Sequence, residues 1–485
     1  MKSEARHPKS ETNPKSEGRK RASSRPSAEP ALGAGRRVVA RFFNLLYRGM
    51  FKPPDLSTAW PNAIRRGSKW EICAPEQGRP RPFRISRLGL LSAIGYRLSE
   101  FRPALLSLGL AAWCLPLAAA QPAADPGLPY VYTQWEQLTT KQGLPNDHIF
   151  AVKTDPTRDY IWIGTEDGLA RYDKKTKQIR SWREKDGLPW RVVTAIEVDP
   201  RTSDLWLGLF GGGLARFSAG RFDHYTQLNS GLVNDVVYAV AIEGDHVWCA
   251  TTAGASRYHV KTDKWDIFTE KNAPMEEIWN YNVSARDGKV HLAVWGSGIL
   301  EFDTKTENWK VYLDPDGEME IDLYRDDGNV HVITTGASYV DKVLWVSSYF
   351  GCARYDGRHW RGYFDHDCGL PSNFNNNLKA RSGQEAWFCS DKGLGACMDA
   401  ETCTWVTYTS DGNKQAGKAV IQREHEVLKV VDTGYTVPHN FQICVDFDGP
   451  DVWAGTSKGL GHGLGQGYYP KLRPADATGA KTASK

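Results

Sequence analysis

From residue 130 onward the chain alternates apolar and polar positions in short runs separated by turn residues, and the runs recur. The clearest reads Ile161-Trp-Ile-Gly-Thr-Glu-Asp-Gly-Leu-Ala-Arg-Tyr172. It returns as Leu205-Trp-Leu-Gly with Gly213-Leu-Ala-Arg-Phe217, and as Val247-Trp-Cys-Ala with Gly254-Ala-Ser-Arg-Tyr258. Looser copies open at Val290-His-Leu-Ala, Leu344-Trp-Val-Ser, Ala386-Trp-Phe-Cys and Val452-Trp-Ala-Gly. The anchor positions 162, 206, 248, 291, 345, 387 and 453 lie 44, 42, 43, 54, 42 and 66 residues apart. Strand-like units at a period near 40–45 predict the blades of a β-propeller.

Each unit reads as four short strands. The first alternates like Ile149-Phe-Ala-Val-Lys-Thr154, the second carries the anchor, and the third ends on Arg-Tyr or Arg-Phe. The fourth is aromatic, as in Trp265-Asp-Ile-Phe268 and Trp309-Lys-Val-Tyr312, and the outer strands are predicted to begin at Trp135, Trp182, Phe222, Trp265, Trp309, Trp360 and Trp405. Asp155-Pro156, Asp287-Gly288, Asp327-Gly328 and Asp448-Gly449 are hairpin signals between strands. Two residues after each anchor stands a small residue (Gly164, Gly208, Ala250, Ala293, Ser347, Cys389, Gly455), which predicts room for a ring of the next blade. A second column, Gly168, Gly213, Gly254, Gly298, Gly351, Gly393 and Gly459, predicts a turn with positive φ before the third strand.

The last unit ends in Gly461-His-Gly-Leu-Gly-Gln-Gly467 without an outer strand, whereas Trp135-Glu-Gln-Leu precedes any complete unit. The strand around Trp135 is therefore expected to complete the last blade, because closure removes the free edges of the ring. The fold class is all-β: a single seven-bladed propeller of four-stranded antiparallel blades over 127–472.

The flanks differ. Residues 1–97 are rich in Arg, Lys, Pro and Ser without periodicity and read as disordered or as a mis-annotated extension. Residues 98–120 end in an apolar run, Ala104 to Ala120, that follows Arg97 and Arg102 and closes on Ala-Ala-Ala. This is the layout of a signal peptide cleaved near Ala120-Gln121, with translation starting near Leu98; the proline within it and its length argue against a lasting membrane span. Residues 473–485 read as a disordered tail. Residues 1–120 hold 22 Lys+Arg against 8 Asp+Glu, leaving 39 basic and 49 acidic residues from 121 onward. An acidic propeller is a poor partner for nucleic acid, so that class is dropped. Seven cysteines, 249, 352, 368, 389, 397, 403 and 444, follow the cleavage point, an odd number. Cys397 and Cys403 flank one hairpin turn, a spacing compatible with a disulfide and equally with two thiols. Cys352 with Cys368 is a weaker pairing.

The repeats resemble the two-component-regulator propeller repeat. Gly143-Leu-Pro-Asn-Asp147, Asp155-Pro156, Trp162-Ile-Gly-Thr165 and Gly168-Leu-Ala-Arg-Tyr-Asp173 follow its pattern, and Gly187-Leu-Pro189, Gly231-Leu-Val-Asn-Asp235 and Gly369-Leu-Pro-Ser-Asn373 repeat its lead. The resemblance spans residues ~130–470. It implies a periplasmic sensing propeller of the kind found in hybrid histidine kinases, here without a β-sandwich, a following transmembrane helix or a kinase in the sequence.

Propellers bind at the mouth of the central channel, built from the leads into the innermost strands. Asn146, Trp190, Asn234, Glu277, Asn373 and His439 align in those leads, with His148, Arg191, Trp279 and Asn375 one or two residues further in; blade five has no clear register. His148, Trp190, Arg191, Glu277, Trp279, Asn375 and His439 are the candidate ligand-binding residues. Aromatic faces, carboxamides and one Arg suit a sugar, peptide or aromatic ligand, while Asn at such places also caps turns. The acidic stretch Asp314–Asp322 departs from an EF-hand and reads as a solvated loop. Residues 410–437 interrupt the period and read as an elaborated loop or a disordered excursion. No catalytic, metal or cofactor signature emerges, nor a quinone site near Asp303-Thr-Lys-Thr-Glu-Asn-Trp309. The expectation is an exported, non-catalytic propeller, periplasmic or secreted, binding a small molecule, carbohydrate or peptide, or an envelope protein such as a separate sensor kinase. The alternative is a periplasmic lyase or hydrolase resembling streptogramin lyase, for which His439 with Glu276 or Glu277 is the nearest material.

Overall fold

In a computed structural model, residues 127–313, 328–412, 416–466 and 468 are described. They form seven antiparallel sheets, ordered as the repeats predict. Blade 1, for example, consists of Ile149–Thr154, Tyr160–Thr165, Gly168–Asp173 and Ile179–Trp182. The innermost strands of blades 1 to 7 are Ile149–Thr154, Val193–Val198, Val237–Glu243, Asn280–Arg286, Thr334–Val340, Asn375–Ala380 and Gln442–Asp448, and each packs against its neighbours round the ring. Closure is as expected: Trp135–Leu138 pairs antiparallel with Gly459–Gly463, Trp135 opposite Gly463 and Leu138 opposite Leu460. The readings of residues 1–97, 98–120, 314–322 and 473–485 lie outside the described residues.

The anchor column fills the interiors of the blades. Trp162, Trp206, Trp248, His291, Trp345, Trp387 and Trp453 are all buried. Opposite them across the sheet stand Arg171, Arg216, Arg257, Glu301, Arg354, Ala396 and His462. In blades 1, 2, 3 and 5 the guanidinium lies 5.5–5.9 Å from the indole centre, a cation–π contact. The glycines before the third strands all have positive φ, from 67° to 154°. A Cβ at Gly213 would also sit 2.2 Å from the Tyr225 carbonyl oxygen, so both conformation and close approach demand glycine there.

Four expectations are corrected. The small column receives the next blade's innermost strand, not a ring: a Cβ at Gly164 would meet Val193 O at 2.6 Å, and one at Gly455 would meet Ile149 Cγ2 at 2.8 Å. In blade 1 the outer strand ends on Trp182 instead of beginning there. Outer strands of blades 2 to 6 carry two aromatics three residues apart, such as Trp265 and Phe268, whereas blade 1 keeps only the second, with Ile179 at the first place. The hairpin of blade 5 turns at Asp341-Lys342, both with positive φ, and not at Asp327-Gly328. Finally, residues 410–437 are largely sheet: Gly417–Arg423 and Glu426–Gly434 add a fifth and sixth strand to blade 6.

Candidate functional site

All seven innermost strands begin with the same irregularity. The pairing to the second strand skips one residue, leaving Phe150, Thr194, Tyr238, Tyr281, Thr335, Asn376 and Ile443 as bulges. A bulge leaves its residue unpaired, bends the strand and re-aims a side chain. Two further columns lie beside it at the same end of the ring. One is the residue just before each strand, His148, Val192, Val236, Trp279, Ile333, Phe374 and Phe441. The other lies four residues past each anchor, Glu166, Phe210, Thr252, Trp295, Tyr349, Asp391 and Ser457.

These columns bring seven rings into unbroken contact across five blades. Phe210 meets Tyr238 at 5.8 Å; Tyr238 stacks on Tyr281 at 5.2 Å; Tyr281 stacks on Trp279 and on Trp295, each at 5.5 Å. Trp295 meets Tyr349 at 5.7 Å, and Tyr349 stacks on Phe374 at 3.9 Å. All seven are half-buried. Burial raises the pKa values of Tyr238, Tyr281 and Tyr349, so their phenols stay neutral.

The mouth outside the arc also carries polar groups. His148 stacks on Phe150 at 4.5 Å, and its Nδ1 lies 3.8 Å from Glu166. Burial lowers its pKa to about 4, which keeps the ring neutral, and its Nε2 is buried without a hydrogen-bond partner. Glu166 is raised by burial, against which Arg191 at 3.8 Å acts. Trp190 is 40% exposed and lies across the turn of its own blade, where a Cβ on Gly212 would come within 2.3 Å of the Trp190 Cβ. Glu277, at the same place in blade 4, lies over Gly296 in the same manner and is exposed.

The other leads act as caps. Asn146, Asn234, His331, Ser372 and His439 each accept the backbone N–H two residues on. His331 thereby supplies the missing lead of blade 5, and Ser372, not Asn373, is the equivalent in blade 6. His439 Nδ1 also lies 2.9 Å from Ser457 Oγ, and burial lowers its pKa. Asn375 belongs to the first-strand column with Ile149 and Val193. It is 0% exposed, and its amide donates to the carbonyls of Ser348, Gly351 and Asn373. Of the seven sequence candidates, His148, Trp190, Arg191, Glu277, Trp279 and His439 thus stand on leads at this face, and Asn375 lies inside the blade. Phe210, Tyr238, Tyr281, Trp295, Tyr349 and Phe374 were missed. The fourth position past the anchor is a signal the repeats already contain.

Below the mouth the inner strands enclose about 240 Å³. Three residues past each bulge stand Lys153, Glu197, Ala241, Ser284, Ser338, Lys379 and Asp446, which line this cavity with their strands. Lys153 pairs with Glu197 at 2.7 Å, Lys379 lies 3.8 Å from Asp446, and the Thr154 N–H donates to Asp446 at 2.8 Å. Burial would lower the Lys153 pKa, but Glu197 and Asp446 outweigh it and hold the ammonium charged.

Fold and mouth together define a seven-bladed β-propeller with one aromatic-lined channel end. No family model matches the chain, and no curated protein matches it. Among solved structures, the extracellular domain of BT4673 from B. thetaiotaomicron, described as a one-component system, is similar over 69% of this chain and 40% of its own. Its identity is 14% and its TM-score 0.51. The extracellular domain of BT3049 from B. thetaiotaomicron, described as a hybrid two-component system, matches 68% of this chain and 41% of its own at 15% identity and TM-score 0.48. The WD40 repeats of RRP9 match 68% of this chain and 99% of their own at 9% identity and TM-score 0.47. Such likenesses are of fold. The chain spans about two fifths of the length of the two B. thetaiotaomicron structures.

Proposed function

We propose that this propeller is a non-catalytic recognition domain that holds a ligand bearing a flat ring, sugar or aromatic, against the arc from Phe210 to Phe374. The unbroken contact of seven neutral, half-buried rings along one side of the mouth carries this reading. Ring stacking contributes about 0.5–1.5 kcal/mol per pair beyond the area it buries. Arg191, Glu166 and His148 across the mouth would orient polar groups of the ligand, and small-molecule sites commonly combine an apolar wall with a few polar groups. We place the protein in the periplasm or outside the cell, after cleavage near Ala120-Gln121, reporting to a separate envelope sensor.

The test is a thermal-shift and tryptophan-fluorescence screen of oligosaccharides, aromatic compounds and peptides, with and without Mg²⁺. The expected result is a saturable shift for one ligand class, unchanged by chelator, with the ligand recovered intact. Metal-dependent turnover abolished by His439→Ala or Glu277→Gln would replace this reading with the lyase one. A shift that survives both Trp279→Phe and Trp190→Ala would move the site away from the mouth.

A further inference from the structure

Four of the seven cysteines among the described residues gather in one core. Cys352, Cys368, Cys397 and Cys403 all belong to the apolar cluster at the boundary of blades 5 and 6, with Trp345, Tyr363 and Trp405. The sequence makes a Cys397–Cys403 link across a turn possible, and both thiols are free in the structure. Cys397 stands opposite Trp405 in the sheet, two residues beyond Cys403.

The closer neighbour of Cys403 comes from a different segment. Cys368 lies on the lead that crosses from blade 5 into blade 6, and this lead is pressed against the strand Thr404–Ser410. A Cβ on Gly369 would come within 2.5 Å of the Trp405 Cβ, and the Thr407 hydroxyl donates to the Gly369 carbonyl. Cys368 and Cys403 are interacting neighbours across this contact, and Cys368 Sγ lies 3.2 Å from Phe364 O. Cys403 sits with φ 49°, in the left-handed region at the entry to its strand. Cys352 and Cys397 are electrostatic neighbours of this pair.

We propose that Cys368 and Cys403 are the site of a disulfide that fastens the blade 5–6 lead to the outer part of blade 6. The bond forms by thiol–disulfide exchange with a small oxidised disulfide such as glutathione disulfide. One of the two cysteine thiolates attacks one sulfur and expels the first reduced thiol, and the other then displaces the second from the mixed disulfide. Two cysteine thiols are oxidised, one donor disulfide is reduced to two thiols, and two protons leave the cysteines. Both sulfurs are buried, so exchange belongs to the folding chain, before the lead docks.

The experiment is refolding of the full chain in a reduced/oxidised glutathione couple, alkylation, and peptide mapping without reductant. A peptide joining Cys368 to Cys403 is expected. The free-thiol count in denaturant should rise by one in Cys368→Ser and in Cys403→Ser, and fall by one in Cys352→Ser and in Cys397→Ser. Reductant should lower the wild-type Tm by about 5 °C, the effect of closing such a loop in a chain of this size. A link between Cys397 and Cys403, or the absence of any linked peptide with all four variants falling by one thiol, overturns the proposal. If a Ser variant fails to fold, mapping of the wild-type peptides decides alone.

Discussion

The two ends of the channel are built from the same seven strands, three residues apart, and they solve the same problem with opposite chemistry. At the mouth, rings bridge the seams between blades 2 and 3, 3 and 4, 4 and 5, and 5 and 6. At the floor, charged or polar bonds bridge the remaining three: Lys379 to Asp446, the Thr154 N–H to Asp446, and Lys153 to Glu197. Below the middle of the arc, in blades 3 to 5, the floor has only Ala241, Ser284 and Ser338. The charges therefore cluster around the closing blade. There, paired ions hold the ring shut at little cost so long as both partners are present. The rings share a seam-bridging role, yet they keep part of their faces open to the channel, which the ion pairs do not need.

The largest expected effect of a single substitution breaks the floor. Asp446→Ala removes the acceptor of Thr154 and leaves Lys379 and Lys153 short of a counter-charge. Breaking a buried pair costs about 3–5 kcal/mol, and we expect about 3 here because the channel admits water. The urea midpoint should fall accordingly, with a smaller fall for Asp446→Asn, which still accepts a hydrogen bond. A loss under about 1 kcal/mol would mean that the ions do not close the ring.

A second comparison uses protons. His148 and His331 at the mouth are both held near a pKa of about 4 by burial, from 6.5 unfolded. The folded state keeps them neutral while the unfolded chain binds protons first. Stability from this source is therefore complete above pH 6.5, falls as pH drops from 6.5 to 4, and changes no further below. A shift of this size is worth about 3 kcal/mol for each imidazole. Lys153 at the floor should not contribute over this range, because its pKa is raised above an already basic value. Denaturant midpoints at pH 7, 5.5 and 4 should show the slope in the wild type, to which His246, His291 and His439 add in the same direction, and a shallower one in His148→Gln. An unchanged slope would place the response elsewhere.

How much of this was legible in the sequence follows from repetition. Blade number, closure by Trp135 and the positive-φ glycines could be read because each constraint is stated seven times, so a His at 291 or a Cys at 389 does not obscure the column. The extra strands of blade 6 could not, because Gly417–Gly434 has no copy to compare with. The mouth lay between these cases. Its lead positions aligned to within a residue, but which side chains face the channel depends on a one-residue bulge, and a bulge inverts the alternation that strand reading relies on. That is why Asn375 was placed at the mouth and Tyr238 and Tyr281 were not.

The smallest expected effect is also the most discriminating. Substituting any of the seven arc rings confounds seam bridging with recognition, since each touches another ring of the arc. Trp190 avoids this, because it lies on Gly211 and Gly212 of its own blade with 40% of its surface exposed. Trp190→Ala should change stability by no more than about 0.5 kcal/mol, the range for surface substitutions away from special features. If the mouth recognises a flat ligand, the same change should weaken binding about tenfold, the loss of one stacking contact worth roughly 1.4 kcal/mol. Titration of the wild type and Trp190→Ala with the ligand found by the screen separates the two roles. Equal affinities with equal stabilities would take Trp190 out of the recognition site, and equal affinity in Trp279→Phe as well would leave the rings as seam packing, the apolar counterpart of the ion pairs below them.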